Sequence, residues 1–228
     1  MKKALVVALV VILLTLGLLV GCGPVRTQTY DFTDFTRVEI GYAFHVEVVQ
    51  SNSYSISITA SENLFNLIQV SKEGETLKIG LTQPVAGTRR AEITMPDLRA
   101  IKLSGATKGS INGFSSSNDF SLDLSGASSL NGDLTAGDVN INVSGASTLK
   151  LDGSASDMVA NVSGASRFNL GSYEVNNADV TLGGASSGTV NLDGRLDANL
   201  SGASKLSYIG EPTMGNINTS GASTLSKK

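Results

Sequence analysis

The tripeptide Ser-Gly-Ala starts at residues 104, 125, 144, 163, 201 and 220, and Gly-Gly-Ala at 183 fills the one gap, so the starts lie 21, 19, 19, 20, 18 and 19 residues apart. Such a period marks a stacked repeat whose units are too small to bury an apolar face alone. Three positions before each tripeptide stand Ile101, Leu122, Ile141, Ala160, Val180, Ala198 and Ile217, and just before it stand Leu103, Leu124, Val143, Val162, Leu182, Leu200 and Thr219. Between these columns the chain carries Lys102, Asp123, Asn142, Asn161, Thr181, Asn199 and Asn218. That is the period-two alternation of a half-buried strand. After the tripeptide come Thr107, Ser128, Ser147, Ser166, Ser186, Ser204 and Ser223, then Leu130, Leu149, Phe168, Leu206 and Leu225, with Gly109 and Gly188 breaking the last column. A second strand begins there.

Each unit therefore reads as strand, corner at Gly-Ala, strand and loop. The dipeptides Asn112-Gly113, Asn131-Gly132, Asp152-Gly153 and Asp193-Gly194 predict tight turns in that loop. Helices are excluded by the Gly, Ser, Asn and β-branched content and by the lack of three-and-four spacing. The expected fold is all-β: a right-handed, single-stranded parallel β-helix of 19-residue coils. Equivalent residues then stack about 4.8 Å apart in ladders. Gly at the corner avoids a Cβ repeated at every bend. The Ser column bonds to the corner backbone and along the stack, and the outward Asn column forms an amide ladder or a docking surface.

With 25 Gly among 228 residues, no Trp and 5% aromatic residues, the chain suits close-packed coils in one elongated body. Burying one Leu, Ile or Val contributes roughly 1.5–3 kcal/mol while ordering each residue costs roughly 1–2 kcal/mol, so a lone coil would not stand. The charge balance is 17 basic to 20 acidic residues, with Arg89-Arg90 the only basic pair between the leader and the terminal Lys227-Lys228. No basic groove with interleaved aromatics appears, which argues against nucleic acid as a partner.

Cys22 is the only cysteine, so no internal disulfide forms. Met1-Lys2-Lys3 is a positive n-region, an apolar stretch runs from Ala4 to Val20, and Leu19-Val20-Gly21-Cys22 follows. These residues resemble a bacterial lipoprotein signal. The resemblance implies a signal peptide over 1–21, cleavage after Gly21, and acylation (palmitate among the chains) of the Cys22 thiol. It also implies a membrane partner held through that lipid and a place in the extracytoplasmic envelope. An uncleaved transmembrane anchor is the alternative.

Residues 22–34 read as a lipidated tether, 35–100 as a β-rich part supplying the first coils and a cap, and 101–228 as the repeat. The alternating segments are Phe35 to Ile40, Ala43 to Val49, Tyr54 to Ala60, Ile68 to Ser71, Thr76 to Leu81 and Ala91 to Met95, with one helical turn expected in Ser61 to Leu67. The order Phe35-Thr36-Arg37-Val38-Glu39-Ile40, Phe44-His45-Val46-Glu47-Val48, Leu77-Lys78-Ile79, then Ala91 to Leu98 through Met95-Pro96-Asp97, leading into the first Ser-Gly-Ala coil, resembles the bacterial family called putative auto-transporter adhesin, head GIN domain. The resemblance spans about residues 35 to 222. It implies a β-helical domain on secreted or envelope proteins, often lipid-anchored.

No catalytic, cofactor or metal residue is assigned. His45, the only histidine, sits at an alternating strand position without a Gly-x-Ser-x-Gly elbow. One His and one lipidated Cys do not furnish a zinc site. Asp133 and Asp152 share a column with Asn112 and Asn191, interrupted by Gly171 and Ile209, and are read as turn formers rather than calcium ligands. Asp123, Asp138, Asp157, Asp179 and Asp197 are the loose candidates for a polysaccharide lyase or hydrolase, which needs a carboxylate pair beside a sugar cleft. The expectation is a non-catalytic module presenting a rigid surface to a protein or glycan ligand. A structural or signalling role recognised by another membrane protein is the alternative. The oligomeric state is left open.

Overall fold

Alternating apolar columns demand a surface to close against, and stacking supplies it: the chain winds into a parallel β-solenoid with two sheets facing each other across one core. The computed structural model describes residues 24–228, so the leader and Cys22 lie outside the described residues. One sheet has 11 strands and the other 10. In a repeat coil, Phe120–Leu124 belongs to the smaller sheet and Ser129–Thr135 to the larger, and each pairs in parallel with its equivalents a coil away. Leu122, Leu124, Leu130 and Leu134 all point inward and are buried. No helix among the described residues is long and apolar enough to cross a membrane.

The expected alignment of columns is observed. Lys102, Asp123, Asn142, Asn161, Thr181, Asn199 and Asn218 are register partners along the outer face of the smaller sheet. The expected turn dipeptides are a different matter. Asn112-Gly113, Asn131-Gly132 and Asp152-Gly153 lie inside the strands Lys108–Ser115, Ser129–Thr135 and Thr148–Ser154; of the four, only Asp193-Gly194 lies in a turn. The reason is that a stacked strand keeps its ladder while it bends. Gly113, Gly132 and Gly153 take positive φ values of 80°, 152° and 128°, and a Cβ on Gly132 would stand 1.9 Å from the Ile111 carbonyl oxygen. These glycines curve the strand toward the next turn without ending it.

The N-terminal part departs from serial stacking. The coil made by Arg37–Ile40 and His45–Gln50 lies between the coil of Thr76–Leu81 with Arg89–Met95 and that of Ala100–Leu103 with Lys108–Ser115. The chain thus lays down its first coil, builds the one outside it, and crosses back to continue the stack. Antiparallel strands close the outer end: Ser55–Ser61 and Val25–Tyr30 on one sheet, Ile68–Glu73 on the other. A 3-10 turn over Glu62–Leu64 occupies the expected helical segment. The polar run expected as a tether is corrected over Val25–Tyr30, which forms an edge strand; Thr27 and Thr59 hydroxyls meet at 2.7 Å across it. Its alternating Thr residues suit a half-exposed sheet position.

Candidate functional site

The repeated corner is where sequence and backbone meet most tightly. Gly126, Gly145, Gly164, Gly184, Gly202 and Gly221 all take φ between 68° and 76°. The Ala146 N–H donates to the Gly126 carbonyl at 2.8 Å, and Ala165, Ala185, Ala203 and Ala222 repeat the bond to the corner glycine one coil below. The following hydroxyls are buried and turn back on the corner: Thr107 donates to the Ser104 carbonyl at 2.7 Å, and Ser128, Ser147 and Ser186 donate to Ser125, Ser144 and Gly183 at 2.8 Å. Apart from Ser204, whose hydroxyl is buried without a partner, this column serves the corners.

A second polar ladder, absent from the sequence reading, lines the opposite turn. Asp119 Oδ1 accepts the Asp138 N–H at 3.0 Å, Asp138 Oδ1 accepts from Asp157 at 3.2 Å, Asp157 Oδ1 accepts from Asn177 at 3.3 Å, and Asn177 Oδ1 accepts from Arg195 at 2.9 Å. The recurrence of Asp or Asn six residues before four of the tripeptides was the available signal. Asp133 likewise takes the Gly113 N–H at 2.8 Å. The expected column through Asp133 and Asp152 continues to Ser172, while Asn191 faces Glu174, because an extra residue near Gly171 shifts the register.

These bonds bear on the loose carboxylate candidates. Asp138 and Asp157 are engaged by backbone. Asp123 stands in the outward column beside Lys102 and Asn142. Asp179 and Asp197 are register neighbours on the same flat face. Asp197 is held by Arg195 at 2.7 and 2.9 Å and by the Asn216 N–H at 2.6 Å, and the Arg195 hydrogen bond above all keeps its carboxyl below the usual range. His45 is exposed on its strand, beside Arg90 and Lys108. Among the described residues no cluster of three or more His, Cys, Asp or Glu has metal-holding geometry.

The remaining polar columns line the outer face of the larger sheet. From the Gly105 coil onward one outward column reads Lys108, Ser129, Thr148, Arg167, Ser187, Lys205 and Thr224, and its neighbour reads Ser110, Asn131, Lys150, Asn169, Thr189, Ser207 and Ser226. Four cations and no carboxylate stand in these columns. A trough of about 500 Å³ runs between them past Lys150, Arg167, Asn169 and Lys205. Asp133, Asp152 and Glu174 follow these columns on the same strands, with Asp152 3.7 Å from Lys150, while the other face carries Asp123, Asp179 and Asp197 together with Lys102 and Arg195.

Two facing sheets, positive-φ corners and in-register polar ladders define this molecule as a two-sided parallel β-solenoid. The chain belongs to the putative auto-transporter adhesin, head GIN domain family, whose model matches residues 34–212. Its fold is similar to that of a putative adhesin from Bacteroides fragilis, with a TM-score of 0.83 and 21% identity over 90% of this chain and 97% of that one. A putative adhesin from Parabacteroides distasonis gives 0.68 at 15% identity, covering 91% of this chain and 98% of that one. A putative lipid binding protein from the same species gives 0.67 at 16% identity over 92% and 98%. At these identities the likeness establishes the fold. No curated protein matches the chain.

Proposed function

We propose that this protein is a non-catalytic binding module of the bacterial envelope, anchored by lipid at Cys22, which presents the outer face of its larger sheet to an acidic glycan. The observation that carries the reading is the pair of in-register columns bearing Lys108, Lys150, Arg167 and Lys205 amid Ser, Thr and Asn. Hydroxyls and amides recurring once per coil match a polymer that repeats its own groups, and many weak contacts add into useful affinity. The cations select for negative charge and make binding fall with salt. Family membership supports a surface role. The leader ending at Cys22 supports the anchor.

The test is binding of the mature chain to immobilised acidic and neutral polysaccharides, with and without the paired substitutions Arg167→Glu and Lys205→Glu. Wild type is expected to bind acidic chains in a salt-sensitive way and the double variant to lose that binding. Equal binding by both proteins contradicts the assignment. Capture of a protein instead of a glycan would move the ligand class while leaving the face.

A further inference from the structure

The corner ladder stops at one end of the stack, and a hollow opens where it stops. In the coil of Thr76–Leu81 and Arg89–Met95 the tetrapeptide corner is replaced by a loop over residues 82–88. Beside it lies a cavity of about 450 Å³ walled by Tyr42, Pro84, Val85, Arg89 and Ser104. Arg90 is the register partner of His45, so Arg89 stands beside Phe44, in the inward column that holds Thr107 or Ser in later coils. A guanidinium has taken the place of a hydroxyl.

Three observations on this hollow are independent. First, Arg89 is only 7% exposed, and among the described residues no carboxylate pairs with it. Its Nη1 donates to the Val85 carbonyl at 2.9 Å, while Nε is buried without a partner. Its guanidinium carbon lies 5.9 Å from the Phe44 ring centre. A buried cation without a counter-charge is costly, and arginine does not escape by losing its proton. Second, Tyr42, Ala43, Gly105 and Ala106 have φ of 61°, 58°, 62° and 68°, whereas within each corner from Gly126 onward only the glycine is left-handed. A tyrosine there is a true outlier, and such strain gathers at ligand sites. Third, the Ser104 hydroxyl stands on the wall of this cavity without a protein hydrogen bond, as Ser125 and Ser163 do at the same corner position away from it, whereas Ser144, Ser201 and Ser220 donate to a carbonyl of the coil below.

We infer that this hollow is a binding site for a small monocarboxylate with a compact apolar body. The Nε–Nη2 edge of Arg89 is the edge that receives a carboxylate side-on. The Ser104 hydroxyl supplies a further donor, and Pro84, Val85 and the Tyr42 ring enclose the apolar part. One guanidinium balances a single negative charge, and the hydroxyl adds a hydrogen bond, which favours a carboxylate over a dianionic phosphate. The loop over 82–88 already meets the guanidinium through the Val85 carbonyl on Nη1, so a ligand on the remaining edge orders that loop. The inference is independent of the glycan face.

The test is titration of the mature chain with acetate, isovalerate, 3-phenylpropionate, 3-phenylpropionamide and inorganic phosphate, followed by calorimetry and by amide exchange in residues 82–88. One of the two larger acids is expected to bind at least about tenfold more tightly than acetate, the amide or phosphate. It is also expected to slow exchange in the loop. Arg89→Met removes the binding while the variant melts no lower than wild type, since a buried unpaired charge is gone. Undiminished binding by that variant, equal binding of acid and amide, preference for phosphate, or no binding by either larger acid each overturns the site. Ser104→Ala, which leaves the cation in place, is expected to weaken the acid severalfold, and an unchanged affinity contradicts the hydroxyl's part.

Discussion

The carbonyl oxygen of Gly145 occupies the space above which Gly164 stacks: a Cβ built on Gly164 would lie 2.3 Å from it. The corner glycine is therefore fixed twice, by its φ of 75° and by the coil beneath. Gly164→Ala is expected to lose about 3 kcal/mol in urea unfolding, since left-handed backbone alone costs an alanine about 1–2 kcal/mol and the clash adds to it. Gly74 has a φ of 58° with nothing within 4 Å of its built Cβ. Gly74→Ala is expected to show only the backbone part. Equal losses at the two sites would show that stacking does not govern the corner.

The hydroxyl ladder makes a paired prediction. Ser147 Oγ donates to the Ser144 carbonyl at 2.8 Å, whereas the buried Ser204 Oγ has no partner. Ser147→Ala is expected to cost about 1 kcal/mol and Ser204→Ala close to nothing. Thermal unfolding of both variants checks the difference.

Tyr173 is fully buried in the core, and its hydroxyl finds no hydrogen-bond partner. Burial pushes the phenol above its ordinary ionisation range. Tyr173→Phe removes an unsatisfied group with little change of shape and is expected to raise stability by about 1 kcal/mol. A clear loss would mean that the hydroxyl has a partner in solution, such as buried water.

Protonation of Asp197 probes the last coils. Its carboxyl is held below the usual range by the Arg195 hydrogen bond first and by the Asn216 N–H second. A depressed folded value means that the stabilisation is full above the unfolded carboxylate range and is lost as pH falls through the folded value. Protection of the Asn216 amide is therefore expected to hold at pH 6 and to fade below about pH 4. Asp197→Asn should flatten that dependence. Unchanged protection at low pH in the wild type would contradict the carboxylate's role.

The stack was legible in the sequence because its columns are chemically pure. Gly126, Gly145 and Gly164 recur with their Ser and Leu companions, and one period places all of them. The first corner was hidden by substitution: Gly41-Tyr42-Ala43-Phe44 holds the register of Ser104-Gly105-Ala106-Thr107, with Tyr42 at φ 61° where a glycine was the expected signal. The return of the chain past its first coil is set by which edges pair, and local pattern does not encode that order. Asn131-Gly132 has the chemistry of a turn, but neighbouring strands keep the segment in the ladder while Gly132 bends it. Arg89 read as half of a basic pair, and the register that sets Arg90 beside His45 turns it inward.

Display at the cell surface through Cys22 is the claim on which the functional account rests, and protease treatment of intact cells tests it most directly. The account predicts that the full-length protein incorporates labelled palmitate and is digested by added protease. Cys22→Ser is expected to lose the label and to leave the membrane fraction. Complete protection of the wild-type chain on intact cells, with digestion only after lysis, would contradict it.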